Sequence, residues 1–130
     1  MVYNFHMDKK PLLKLICREA VIVWDDLCVL HPRLAHFPMP DIYLNNRFTR
    51  TAGVCYQEEN YIELASKFFK SKKNFEYMID VILPHELIHQ ADYNLFGDSE
   101  KSCGHGKNWC KLMLEYGLKP DPFHRMKIVK

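Results

Sequence analysis

Residues His85, Glu86 and His89 are spaced for metal chemistry. The stretch Pro84-His85-Glu86-Leu87-Ile88-His89-Gln90 reads His-Glu-x-x-His inside an apolar pattern of helical period. Residues four apart on a helix share one face, one turn from each other. Two imidazoles so placed can ligate the same tetrahedral zinc ion. Glu86, next to the first ligand, can reach a water at the metal without being a ligand itself. The chemistry this layout allows is zinc-assisted hydrolysis with Glu86 as general base.

A catalytic zinc takes three protein ligands and keeps one position open. The third ligand has several candidates downstream: His105, His124, Glu100 and the cysteines. His105 is the best placed. It lies in Cys103-Gly104-His105-Gly106-Lys107-Asn108-Trp109, where flanking glycines let the backbone turn tightly and approach another element. The residues after it read as a helix with Trp109, Leu112, Met113 and Tyr116 on one face. His105 falls four before Trp109 and so begins that inward face. The expectation is one catalytic zinc ion held by His85, His89 and His105. Cys103 as a fourth ligand would close the position that water needs. His36, in a proline-rich stretch, reads as an ordinary loop histidine.

These residues resemble the SprT-like zinc metallopeptidases, the group that includes Spartan. The family pattern runs Pro-His-Glu-Leu-x-His, then Phe-Gly, then His-Gly-x-x-Trp or His-Gly-x-x-Phe. Here the matching pieces are Pro84 to His89, Phe96-Gly97, and His105-Gly106-Lys107-Asn108-Trp109. Upstream, Thr51-Ala52-Gly53 and Tyr61-Ile62-Glu63-Leu64 look like the family's small-residue segment and short strand. Downstream, Tyr116-Gly117-Leu118 and His124 also resemble it, so the likeness covers roughly residues 12 to 125. The cysteine-rich zinc ribbon that follows the bacterial core has no counterpart in 119–130. A core-only form is therefore expected, with a core of about 12–118 and a tail of 119–130 in a single domain spanning 1–130.

Composition agrees with one globular domain. The chain has 130 residues, 48% of them hydrophobic, which suits a folded chain rather than a disordered one. Its net charge of +2 is too small to imply nucleic-acid binding by itself. The five cysteines are an odd number and follow no secretory signal, so reduced thiols are expected. The longest apolar run, Ala20 to Trp24, is far too short to span a membrane. These features point to a cytoplasmic protein, or a nuclear one in a eukaryote, that is not secreted, does not meet a membrane and is a monomer.

The elements that must position the site follow from periodicity. Residues 11–31 read as a first helix, with Leu12, Ile16, Ala20, Val23, Leu27 and Leu30 at three- and four-residue steps and Pro11 at its start. His31-Pro32 ends it, and 32–40 reads as a loop. Strands are expected at 41–44, 52–57 and 61–65, the last two as a hairpin. The expected fold class is α+β: one compact zincin-like domain with a small antiparallel sheet of about three strands. An active helix of about 75–96, capped by Asn74 and kept continuous through Pro84, precedes the helix after His105.

The resemblance implies a zinc-dependent endopeptidase whose substrates are DNA-associated or DNA-cross-linked proteins, with single-stranded DNA as activator. It also implies that an edge strand, here Tyr61, Ile62, Glu63 and Leu64, takes the protein substrate as an added strand. Lys67, Lys70, Lys72 and Lys73 interleave with Phe68 and Phe69, as nucleic-acid sites often do. The same pattern fits a solvated segment that two phenylalanines anchor to the core. Arg125 to Lys130 adds a second basic stretch. Tyr56, Tyr93, Arg47, Arg50 and His124 are candidate oxyanion donors. Two other functions stay open: a zinc- or DNA-binding module without proteolysis, and a regulatory peptidase for one specific partner.

Overall fold

Leu12, Leu15, Ile16, Ala20, Val23, Trp24 and Leu27 recur at helical spacing and are all buried on one face of helix α1 (Lys9–Leu30). The computed structural model describes residues 8–97 and 105–121. The helix starts two residues before the expected boundary, because Pro11 sits within the first turn, where its missing N–H has no helical partner to lose. The first helical bond is Leu12 N–H to the Asp8 carbonyl at 3.1 Å. Leu30, expected on the buried face, is exposed at the frayed end beside Pro32. Residues 32–36 form a 3₁₀ helix rather than a plain loop, with Leu34 buried. Arg33 Nη2 donates to the Leu95 carbonyl at 2.9 Å and ties this turn to the far end of the metal-site helix.

Three strands form: β1 (Asp41–Asn45), β2 (Gly53–Tyr56) and β3 (Tyr61–Ala65). The sheet is mixed, not antiparallel. Its order is β1-β3-β2, with β3 antiparallel to β2 and parallel to β1. The hairpin between β2 and β3 is as expected, and Asn60 takes the left-handed φ of 57° in its turn. The connection after β1 carries the chain to the far edge, so β3 returns between its two predecessors. Strands that alternate up, down and up make β1 and β3 parallel as soon as they become neighbours. Ile42, Leu44, Ile62 and Leu64 are buried on the face towards the helices. The other face carries tyrosines, with Tyr56 stacked on Tyr61 at 4.5 Å.

Phe68 and Phe69 are buried in a 3₁₀ turn, Ser66–Lys70. The cap that follows is Ser71, not Asn74: Ser71 Oγ accepts from the Asn74 N–H at 3.3 Å. Helix α2 (Lys72–Tyr77) runs into a π turn, Met78–Ile82, and then into α3 (Leu83–Phe96). The expected continuous α-helix is therefore interrupted. Pro84 has no N–H for the Asp80 carbonyl and its ring crowds that carbonyl. The preceding turn widens to accommodate it, with Leu83 N–H bonded to the Met78 carbonyl. Gly97, at a φ of 76°, ends α3. Helix α4 (Lys107–Tyr116) buries Trp109, Leu112 and Met113 and stops at Gly117 in the left-handed conformation. Among the described residues no helix is long and apolar enough to cross a membrane. Cys17, Cys28, Cys55 and Cys110 are free thiols. Cys103, Glu100, His124 and the 125–130 stretch lie outside the described residues.

Helix α3 is covered on nearly every side, and this extends to Asp92, whose burial raises its carboxyl pKa from 3.8 to about 6. The fold prefers the neutral acid, so its contribution to stability is complete below 3.8 and is lost as pH rises through 6. Two pH units correspond to about 3 kcal/mol, and solvent screening reduces this to about 1–2 kcal/mol. Asp92→Asn is expected to be more stable than the parent by that amount at pH 8 and equal to it at pH 4, as read by urea unfolding at the two pH values.

Candidate metal centre

His85 and His89 share the buried face of α3, one turn apart, where α3 meets β2 and α4. His105 reaches the same point from the turn before α4 and is exposed. The three Nε2 atoms converge. The separations are 3.0 Å for His85–His89, 3.0 Å for His89–His105 and 3.4 Å for His85–His105. Two Zn–N bonds of about 2.0–2.1 Å at a tetrahedral angle span about 3.4 Å. The donor set therefore fits zinc in element type, number and spacing. Three neutral imidazoles turned this way aim lone pairs at one another, an arrangement that a central cation relieves. The exposed side at His105 leaves access for water and substrate, as a catalytic position requires. The side of the His105 ring that packs against the other imidazoles and Trp109 is desolvated, which lowers its pKa and favours the neutral ring that can ligate.

Glu86 lies beside this group, buried, with Oε2 3.9 Å from His85 Nε2. Burial alone raises its carboxyl pKa from 4.5 to about 8. A cation at the imidazoles would favour the charged form and draw the value down again. Such a carboxyl can both accept and return a proton near neutral pH.

The wall behind Glu86 is β2. A Cβ added at Gly53 would lie 3.1 Å from Glu86 Cγ and 3.0 Å from Leu64 Cδ2. Glycine is needed here for space. Gln90, fully buried on α3, clips the two elements together. Its Nε2 donates to the Gln57 carbonyl at 3.0 Å, and its Oε1 accepts from Cys55 Sγ at 3.4 Å. Burial raises the Cys55 thiol pKa well above its ordinary value, with Glu86 adding to the effect, so it stays a neutral donor.

Trp109 does more than fill the core. Its ring centroid lies 4.9 Å from His85, 5.0 Å from His89 and 4.7 Å from His105, and it stacks on His89 at 14°. One indole thus packs against all three candidate ligands. Periodicity placed Trp109 on a buried face but gave no sign of this contact. The Trp109 Nε1 has no hydrogen-bond partner among the described residues. The ring face, not the N–H, is what the site uses.

The family model for the SprT-like family matches residues 28–125. The chain belongs to the SprT-like family. It is similar to Protein SprT of Glaesserella parasuis serovar 5 (strain SH0165), 32% identical over 90 residues, which is 68% of this chain and 54% of that protein. Protein SprT of Pasteurella multocida (strain Pm70) is 31% identical over 93 residues, 71% of this chain and 53% of that protein. Protein SprT of Pseudomonas aeruginosa (strain LESB58) is 30% identical over 89 residues, 68% and 51% respectively. The chain spans about half the length of these SprT relatives. No solved structure matches it.

The other expected SprT-like site residues lie elsewhere. Tyr61, Ile62, Glu63 and Leu64 form the central strand, paired on both sides. Their backbone groups are used, so β3 cannot take an added strand. Among the described residues the sheet edge next to α3 is β2. Glu63 accepts from Asn45 Nδ2 at 2.9 Å and from the Tyr56 hydroxyl, which holds the Tyr56 pKa up at about 12. That bond occupies Tyr56 away from oxyanion duty. Lys72 and Lys73 are exposed on the first turn of α2, while Lys67 and Lys70 border a separate cleft.

Two substitutions test the positioning. Gly53→Ala should push Glu86 aside, destabilise by about 1–3 kcal/mol and leave zinc content near one per chain by atomic absorption. Trp109→Phe removes an unpaired donor and should keep both fold and zinc. Trp109→Ala should weaken zinc about 10- to 100-fold in chelator competition.

Proposed function

We propose that this chain is a zinc-dependent endopeptidase. The observation that carries the reading is the convergence of the His85, His89 and His105 nitrogens beside the buried carboxyl of Glu86. His85, His89 and His105 would hold the ion. Zinc, when bound, supplies a Lewis acid that polarises a carbonyl and lowers the pKa of water. Glu86 accepts the proton of the attacking water and returns it to the leaving amine nitrogen. The peptide lies along the outer edge of β2, where unpaired backbone groups accept an extended chain as a further strand. Gly53 keeps that strand close to Glu86, so a peptide on its edge lies beside the base.

The substrates we propose are proteins bound or cross-linked to DNA, with single-stranded DNA as activator. Support for this step is the SprT-like membership alone. Phe68 and Phe69 are buried and offer no face for base stacking, so any nucleic-acid contact at 67–73 falls to the lysines.

The test is cleavage of a DNA-binding protein by the zinc-loaded chain, with and without single-stranded DNA. Fragments are expected with DNA. Glu86→Gln is expected to retain zinc and lose about 10²–10⁴ in rate. Native-rate cleavage by that variant would falsify the base assignment. Cleavage indifferent to DNA would keep the peptidase and remove the DNA link. Bound zinc with no cleavage at all would favour a binding module.

A further inference from the structure

Apart from the metal centre, the chain carries a concave site of about 750 Å³. That is within the size of small-molecule pockets. It opens where the parallel strands β1 and β3 end side by side, with Asn45 opposite Ala65. The residues just beyond each strand, Arg47 and Lys67, form two of its walls. Crevices beyond the carboxyl ends of parallel strands are a recurrent place for ligands, because the connections diverge there.

Four cations border the cleft: Lys9 from the first turn of α1, Arg47, Lys67 and Lys70. No acidic side chain lines it. None of the four forms an ion pair among the described residues. Residues 1–7 contain no acidic side chain either. In a chain with a net charge of only +2, four uncompensated cations around one hollow are a local concentration of charge that repels itself. Between them the floor is formed by Leu12, Leu44, Phe69 and Phe75, whose side chains are almost wholly buried and leave the rim to make the contacts.

We propose that this cleft binds a compact polyphosphate, free or as the phosphate chain of a nucleoside di- or triphosphate, through its phosphates alone. The rim matches the charge. A terminal phosphate carries nearly two negative charges and each further phosphate one, which gives roughly three to four in all. Arg47 offers a planar fork for phosphate oxygens, and the lysines act as mobile point charges. A single strand of nucleic acid spreads one charge per nucleotide along its length, whereas these four cations ring one hollow. None of the cleft residues belongs to the metal centre, so this inference stands whether or not the chain cuts peptides.

The experiment is isothermal titration of the zinc-loaded full chain with ATP, inorganic tripolyphosphate and octathymidylate at low salt. Arg47→Glu and Lys70→Glu are both exposed and should fold normally by circular dichroism. Lys111→Glu, exposed on α4, makes the same charge change outside the cleft. Expected is one ATP per chain, weakened about tenfold or more by Arg47→Glu and by Lys70→Glu, and within about twofold for Lys111→Glu. Tripolyphosphate should bind within about threefold of ATP, because the cations and not the buried floor make the contacts. The proposal is overturned by any of four results. These are no saturable ATP binding up to about 1 mM, an equal loss in Lys111→Glu, tripolyphosphate more than about tenfold weaker than ATP, or octathymidylate tighter than ATP.

Discussion

Three imidazole nitrogens facing one another at 3.0–3.4 Å set the terms for the rest of this fold. Two of the rings and the neighbouring carboxyl are buried. Burying ionisable groups costs several kcal/mol each unless something compensates. A zinc site can return on the order of 10 kcal/mol, enough to offset that cost. The protein must still hold the rings in place, since relaxation apart would ease their repulsion. Trp109 packs against all three, and Gln90 locks α3 to β2. The core around α1 then serves mainly to fix the rotation and depth of α3.

The depth of α3 explains both the success and the limits of reading this chain from its residues. Local spacing determines which side chains share a face, so His85, Glu86 and His89 could be read directly. His105 could be read because two glycines and a following amphipathic helix bring it to an inward face. Strand order depends on which edges meet in three dimensions, and no local pattern records it. The segments 41–44, 52–57 and 61–65 were legible as strands. The insertion of β3 between the other two was not, so a strand expected at the edge lies in the centre. The alternating burial of Ile62 and Leu64 is the same in an edge strand and a central one.

Two local details were also hidden by competition between plausible signals. Ser71 and Asn74 are both good caps. The cap is decided by which side chain meets a free N–H, and Ser71 does so because the 3₁₀ turn before it has already buried Phe68 and Phe69. Pro84 suggested a kink, but the chain absorbs it by widening the turn at 78–82. An extra residue in that turn advances α3 by about 100° relative to α2. It also explains why burial is continuous from Leu83 to Asp92 rather than periodic. Here the helix crosses the core instead of lying on it, so amphipathicity ceases to be a guide.

The mixed sheet gives its two edges different neighbours. Edge β2 borders the metal centre and is kept close to Glu86 by the absence of a side chain at Gly53. Edge β1 ends at the basic cleft, beside the first turn of α1. Strand β3 touches both regions and presents a free edge to neither. It is the rigid spacer between them, with Ile62 and Leu64 in the core and Glu63 tied to Asn45 and Tyr56. An all-antiparallel meander in chain order would have put β2 in the centre and closed the edge that lies beside the metal centre. The crossover that defeats a sequence-order reading is therefore the feature that leaves a strand open beside Glu86.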